Sequence, residues 1–139
     1  NESIAGKKAQ TFLKNKLEKG IKNIKSKEKK IQEEEKKIIQ QKKVLSPEEY
    51  KKQVTTLRNK VSALQKERNN LLESVANQRS VAKSELLKNL NPIIQDYMQE
   101  NKIRMVIDKK SLLLADENLE ITEDILLILN KKLKSIKLQ

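Results

Sequence analysis

Cysteine and histidine are both absent from this chain of 139 residues. Without cysteine the protein can form neither disulfides nor thiolate metal sites. Without histidine it lacks the usual general base and the commonest metal ligand. Aromatic residues make up only 2% of the chain, and no apolar run approaches the ~20 residues that a membrane-spanning helix needs. These absences argue against an enzyme and against a membrane-spanning protein.

Glycine and proline are scarce as well, with only Gly6, Gly20, Pro47 and Pro92 in the whole sequence. Few residues therefore interrupt a helix, and 36% of the residues are charged. This composition favours long helices over a globule with a large core of its own. We expect the chain to complete its burial against a second copy or another protein.

No pattern in the sequence predicts catalysis or a bound cofactor. A glycine-rich phosphate loop and a Ser/His/Asp or Cys/His set are both missing. The run from Glu33 to Glu35 could suggest a divalent cation, but lysines flank it on both sides. Because a hard cation needs several converging oxygen ligands, a solvated helix surface is the better interpretation. The sequence therefore predicts a protein that is not an enzyme and has no cofactor or metal.

Positive charge is what the sequence has in excess, and it is concentrated near the start. The net charge is +12, and residues 1–45 carry 14 lysines and 6 glutamates, or +8. Such a basic surface attracts acidic proteins, nucleic acid or anionic lipid. Lysines on a solvated helix that serve only solubility are the alternative interpretation.

Residues 4–45 read as one helix with a thin apolar seam. A coiled coil has two apolar positions in each heptad, and here the second of them is apolar only at Ile21. At the following heptads it is occupied by Glu28, Glu35 and Lys42. One apolar residue per heptad is about half of what a coiled coil uses, which predicts a weakly held, solvated arm. The seam residues, spaced by seven, are Leu17, Ile24, Ile31, Ile38 and Leu45.

A turn is predicted at 45–49, where Ser46 and Pro47 stand between two helical patterns. Proline fits the first turn of a helix and not its interior. Ser46 followed three residues later by Glu49 forms a capping-box pattern. So short a connection favours an antiparallel hairpin of helices, although a kink in one continuous helix is the alternative. The return helix has apolar residues at steps of three and four, and Pro92 is expected to kink it or to begin a new helix.

After residue 102 the pattern changes from helical to extended. Residues 103–108 and 112–115 read as two short strands around a turn at 108–111. Thr122 is predicted to cap a last helix, with acids in its first turn and lysines at its end. The predicted fold is thus mostly α with a small β part: a helical-hairpin arm (17–89, tip at 45–49) on a body formed by residues 1–16 and 90–139.

Four stretches of the sequence resemble the Skp/OmpH family of periplasmic chaperones. They are residues 1–10, Leu90–Ile94, Ile103–Ser111 and Ala115–Asp124. The resemblance implies a jellyfish-like homotrimer whose body holds three coiled-coil arms around a cavity. It also implies periplasmic localisation and ATP-independent holding of unfolded outer-membrane proteins. Members have a strand before the segment that matches residues 1–10, so the start is expected to be a processed or trimmed one. A signal peptide is expected to have been removed.

One proposed lipopolysaccharide site of some family members does not carry over. It uses a cluster of basic residues on the return helix. Here Arg79 and Lys83 lie nearby, but no such cluster stands.

Three functions are compatible with these patterns, and a holding chaperone explains most of them. Scattered apolar residues and strong positive charge suit weak, many-point contacts with a disordered client. A structural coiled-coil module would need a more continuous seam, and a nucleic-acid binder would need stacking aromatics. The expected partners are unfolded outer-membrane proteins, two further copies of the chain and transiently an anionic membrane surface, with no specific nucleic acid. The predicted client-binding residues are Ile24, Lys25, Lys29, Ile31, Lys36, Ile38 and Lys43. The predicted core of the body and trimer comprises Ala5, Ala9, Leu13, Ile103, Met105, Ile107, Leu112, Leu114, Ile125 and Leu129.

Overall fold

The computed structural model describes residues 2–138, and three α-helices account for most of them. They are α1 (Ile4–Gln41), α2 (Pro47–Glu100) and α3 (Thr122–Lys132). Two short 3₁₀ turns, Lys109–Ser111 and Glu117–Leu119, lie between α2 and α3. The mostly helical fold with a long helical hairpin is thus confirmed.

The chain divides into two compact units. The arm unit is Lys14–Asn77, and the body unit is Asn1–Leu13 with Gln78–Gln139. Asn1 and Gln139, which the predicted body also includes, lie outside the described residues. The boundaries expected from the sequence, after residues 16 and 89, stay a prediction.

In the arm unit, the predicted capping box forms at the start of α2. The Glu49 amide donates to Ser46 Oγ over 3.3 Å, and the Ser46 amide and hydroxyl donate to Glu49 Oε2 over 3.2 and 2.8 Å. The hydrogen bonds from the Ser46 side chain and backbone hold the pKa of Glu49 below its ordinary value. Because α1 ends at Gln41 and α2 begins at Pro47, the two helices are separate, and the alternative of one kinked helix is wrong.

The body unit has a small apolar core between the end of α2 and α3. Ile93, Ile125 and Leu129 are buried at its centre. Tyr97 packs against them, and its hydroxyl donates to Asp124 Oδ2 over 2.6 Å. The other half-buried residues around this core are Leu90, Ile94, Ile121, Ile128 and Leu133.

The start of α1 is also tied into the body unit. The amide of Ile4 donates to Asn130 Oδ1 on α3 over 2.8 Å, and the amide of Gly6 donates to Ser3 Oγ over 3.1 Å. These two bonds satisfy amides that the first turn of a helix leaves without an intrahelical partner. Ser3 is itself buried, so its hydroxyl needs such a partner.

Helix α2 runs through Pro92 without a break, so no new helix begins there. It ends instead at a Schellman-type cap: Lys102 has a φ of 55°, and the amide of Ile103 donates to the carbonyl of Met98 over 2.9 Å. A left-handed residue at this place satisfies carbonyls that the helix end leaves free. The chain leaves the helix here as irregular structure.

The predicted β-hairpin is wrong for the single chain. Residues 103–121 hold no strand among the residues that the structure describes. The side chains of Asp108 and Asp116 instead accept hydrogen bonds from the amides of Lys110 and Asn118 at the two 3₁₀ turns. An isolated pair of strands is marginal in water, and such local side-chain bonds offer the backbone an alternative to a ladder.

The predicted cap of the last helix also needs correction. Thr122 is the first residue of α3, and Ile121 stands at the N-cap without a side-chain hydrogen bond. The acids of the first turn, Glu123 and Asp124, are where the sequence placed them. The helix dipole favours such acids, so charge rather than a hydroxyl cap suits this helix start.

Candidate functional site

The arm unit carries most of the excess positive charge. Residues 14–77 contain 18 Lys and Arg against 9 Glu, so this unit contributes +9 of the net +12. The four lysines predicted to meet a client, Lys25, Lys29, Lys36 and Lys43, are all exposed. Like charges on one surface produce a positive potential that attracts acidic chains over about a Debye length.

The apolar residues predicted to meet a client are less available than the lysines. Ile24 is only 5% exposed, while Ile31 and Ile38 are half-buried. Residues at heptad spacing lie in the seam between two helices, where the facing helix buries them from solvent. Ile24 therefore stabilises the arm unit and offers no surface to another chain.

Other apolar side chains of the arm unit are exposed, and the sequence reasoning missed them. Ile21 and Ile39 on α1 are separated by 18 residues, and Val61 and Leu72 on α2 by 11. At 3.6 residues per turn both spacings are close to whole numbers of turns, so each pair shares one face of its helix. Ile21 stands at a position that the sequence assigned to the seam, so its exposure could not be predicted from the pattern. Ile39 and Leu72 directly follow seam residues, and this place outside the seam was the signal that could have identified them. Val44 in the turn is also exposed.

A shallow groove of about 380 Å³ lies near the turn of the arm unit. It joins the half-buried Ile38 and Leu57 to the exposed lysines Lys37 and Lys52. Apolar and cationic groups thus occur side by side, which suits a chain segment that mixes apolar and acidic residues. The remaining lining residues are Glu34, Gln41, Gln53, Thr56 and Lys60.

Comparison with known proteins identifies the family. The sequence model of the family described as "Outer membrane protein (OmpH-like)" matches residues 1–129. The chain belongs to the OmpH-like family. A crystal structure from Caulobacter crescentus CB15, described as an OmpH-like outer membrane chaperone, superposes with a TM-score of 0.90 at 22% identity, covering 98% of this chain and 80% of that one. No curated protein matches the sequence.

In this OmpH-like protein the predicted body core separates into two groups. Ala5, Ala9 and Leu13 on α1 and Ile125 and Leu129 on α3 are buried. The members that come from the segment between α2 and α3 are not buried in the single chain: Met105, Ile107, Leu112 and Leu114 are exposed, and Ile103 is intermediate. The structure does not bring this second group together with the first, and its place in a trimer core stays a prediction.

An ion pair spans that exposed segment. Lys109 donates to Glu120 Oε2, and this bond holds the pKa of Glu120 below and that of Lys109 above the ordinary value. Both side chains are solvent-exposed, so the pair stabilises the fold only slightly. It joins the two 3₁₀ turns while the leucines between them face solvent.

The chain belongs to the OmpH-like family and shares the fold of the Caulobacter crescentus protein. Among residues 2–138, no group of three or more acidic side chains is arranged to hold a metal ion. In the same range, none of the helices is both long and apolar enough to cross a membrane.

Proposed function

We propose that this protein is an ATP-independent holding chaperone of the periplasm that binds unfolded outer-membrane proteins and prevents their aggregation. The observation that carries this proposal is the surface of the arm unit. It combines a net charge of +9 with apolar side chains that stay exposed to solvent. The family and the related outer membrane chaperone support the same role.

The binding mechanism uses two contributions of different range. The positive potential of the arm unit attracts a net-acidic client and speeds the encounter. Short-range contacts with Ile21, Ile39, Val61 and Leu72 then remove apolar surface from water, at roughly 25 cal/mol per Å². Neither contribution demands one client sequence, because both act through many weak contacts. In the proposed homotrimer, three arm units share one client in the cavity between them.

Charge reversal on the arm unit tests the electrostatic contribution. Lys25, Lys29, Lys36 and Lys43 are each replaced by glutamate, which lowers the net charge by 8 and leaves the described ion pairs of the arm intact. We expect a lower affinity for an unfolded outer-membrane protein, measured by fluorescence, with unchanged helicity by circular dichroism. In the wild type, ~1 M salt shortens the Debye length to about 3 Å, so binding should weaken in the same direction.

A matched control separates the arm surface from the total charge. The same reversal at four exposed lysines of the body unit, Lys83, Lys88, Lys110 and Lys134, gives the same net charge. We expect this control to bind the client nearly as well as the wild type. Equal losses in the two variants would mean that only the total charge matters. Unchanged affinity in a folded arm variant would contradict the electrostatic mechanism.

A further inference from the structure

Two ion pairs connect α1 and α2 in the arm unit with opposite polarity. Lys27 on α1 bonds to both oxygens of Glu67 on α2, at 2.7 and 2.6 Å. One heptad nearer the turn on both helices, Glu34 on α1 bonds through both oxygens to Lys60 on α2, at 2.8 and 2.6 Å. The two pairs therefore report the same helix register, but the cation is on α1 in one and on α2 in the other.

The apolar seam alone cannot fix this register. Its members repeat every seven residues on both helices: Ile24, Ile31 and Ile38 on α1, and Leu57, Leu64 and Leu71 on α2. If α2 slips by seven residues, isoleucines meet leucines again, so the seam keeps the same kind of contact even though Leu71 leaves Gly20. In a heptad repeat, polar and charged residues in and beside the seam are what distinguish one register from another.

The ion pairs respond differently to the same slip. In one direction Lys60 arrives opposite Lys27, and in the other direction Glu67 arrives opposite Glu34. Each slip thus loses both ion pairs and creates one contact between like charges. Like charges at neighbouring positions of a helix destabilise by about as much as opposite charges stabilise.

We infer that the alternating polarity of these two pairs fixes the register of the arm hairpin. All four side chains are a little under half exposed, so each pair contributes little to total stability. They matter because they make the native register more stable than the two registers that are shifted by seven residues. An arm that opens locally around a client can then close again in the same register, with the same side chains exposed.

The capping box at Ser46 and Glu49, followed by Pro47, also favours this register at the turn. The test therefore uses the full chain with Ser46, Pro47 and Glu49 replaced by glycine, which loosens the turn. Four charge arrangements are compared in that background: the wild-type one, K27E/E67K, E34K/K60E and the combination of all four substitutions. All four keep two opposite-charge pairs in the native register and have the same amino-acid composition.

Only the polarity distinguishes these four arrangements. In K27E/E67K and in E34K/K60E, both pairs have their cation on the same helix. A slip in either direction then brings opposite charges together, where the wild type would bring like charges together. In the fourfold swap the polarity alternates again, and each slip meets a repulsion as in the wild type. Each exposed contact is worth about a factor of two, and a double swap removes one repulsion and adds one attraction in each slip. It should therefore raise the slipped fraction about fourfold, and the fourfold swap should return that fraction to the wild-type value.

Spin labels at Gln32 and Asn77, two exposed neutral residues of the arm unit, report the register. Because the chain has no cysteine, two introduced cysteines label specifically. A slip of seven residues displaces one helix by about 10 Å, which appears as a second interspin distance in pulsed electron spin resonance. Dilution with unlabelled protein removes distances between copies, and circular dichroism confirms that the helices remain.

We expect one dominant distance for the wild-type arrangement and the fourfold swap, and a second, displaced population for each double swap. The same distance distribution in all four arrangements would overturn the inference. A fourfold swap that slips as much as the double swaps would also overturn the inference. It would show that the native residues do not act through the alternating polarity of the two ion pairs.

Discussion

At the scale of single residues, Tyr97 and Asp124 form a short hydrogen bond within the body unit. Tyr97 lies on α2 and Asp124 in the first turn of α3, and the 2.6 Å hydrogen bond joins the two helices beside the buried Ile93 and Leu129. The hydroxyl donates to a carboxylate, and such charge-assisted bonds are stronger than neutral ones. This bond, with desolvation adding to it, raises the pKa of Tyr97 above its ordinary value.

That raised pKa can be measured directly, since Tyr97 and Tyr50 are the only tyrosines and tryptophan is absent. In a Tyr50→Phe background, phenolate absorbance should report Tyr97 alone, titrating above the ordinary value of about 10. Asp124→Asn should bring the titration back towards that value. The sign for stability follows: a raised pKa stabilises the fold below the unfolded value, and this contribution is lost as pH rises through the folded one. Identical titration curves with and without Asp124→Asn would contradict this account.

Single residues also show where sequence reasoning succeeds. Ser46 and Glu49 act through bonds that span three residues of the chain, and the pattern predicted them correctly. Ile24 was expected to be exposed, but it is buried. A heptad position gives the helical face of a residue, whereas its exposure depends on how closely the facing helix approaches.

At the scale of elements, Gly20 marks a place where the two helices of the arm unit approach closely. A Cβ added to this glycine on α1 would lie 2.4 Å from Cδ2 and 3.1 Å from Cγ of Leu71 on α2. The absence of a side chain at residue 20 therefore lets the leucine pack against the α1 backbone. Glycine in a helix interior costs roughly 0.5–1 kcal/mol relative to alanine. An alanine at residue 20 would therefore improve helix propensity, but it would disturb the packing of Leu71.

Gly20→Ala should accordingly destabilise the arm unit in the wild type and stabilise it in a Leu71→Ala background. In the first case the methyl group displaces Leu71, and in the second it meets open space and improves helix propensity. A double-mutant cycle by denaturant unfolding should give a coupling of about 0.5–3 kcal/mol, as for residues in contact. Equal effects of Gly20→Ala in both backgrounds would show that the contact does not matter.

The predicted strands failed for a reason that also belongs to elements. The helices, their turn and their charged ends follow from signals within a few residues, and these are confirmed. A strand needs a partner across a ladder. Residues 103–107 alternate and residues 112–114 are all leucine, but the part of the chain that the structure describes supplies no third strand for them to pair with. Within one copy of the chain, the aspartates at 108 and 116 organise local 3₁₀ turns instead.

At the scale of the whole molecule, the apolar residues left exposed by this segment have the largest consequence. Leu113 and Leu114 have relative exposures of 103% and 92%, and Leu119 and Met105 exceed two thirds. Extended apolar surface on a monomer marks an interaction site. In a single copy of the chain these apolar residues of the body unit stay exposed. We expect the segment to gain its missing partners in the predicted homotrimer.

Replacing Leu113 and Leu114 by lysine should abolish that assembly. Burial of a leucine side chain is worth about 1.5–3 kcal/mol, and a lysine ammonium at the same place would be desolvated. Light scattering should give three times the chain mass of 16.1 kDa for the wild type at micromolar concentration and one chain mass for the variant. Helicity should not change, because neither residue lies in a helix.

Two substitutions in the arm unit provide the control for this experiment. Ile39 and Val44 are also exposed and apolar, and Ile39→Lys with Val44→Lys adds the same charge away from the body unit. This control should keep the mass of the wild type, because the proposed contact between copies lies in the body. A folded wild-type monomer would exclude the trimer. Dissociation of both variants would show that added charge, rather than the loss of Leu113 and Leu114, separates the copies.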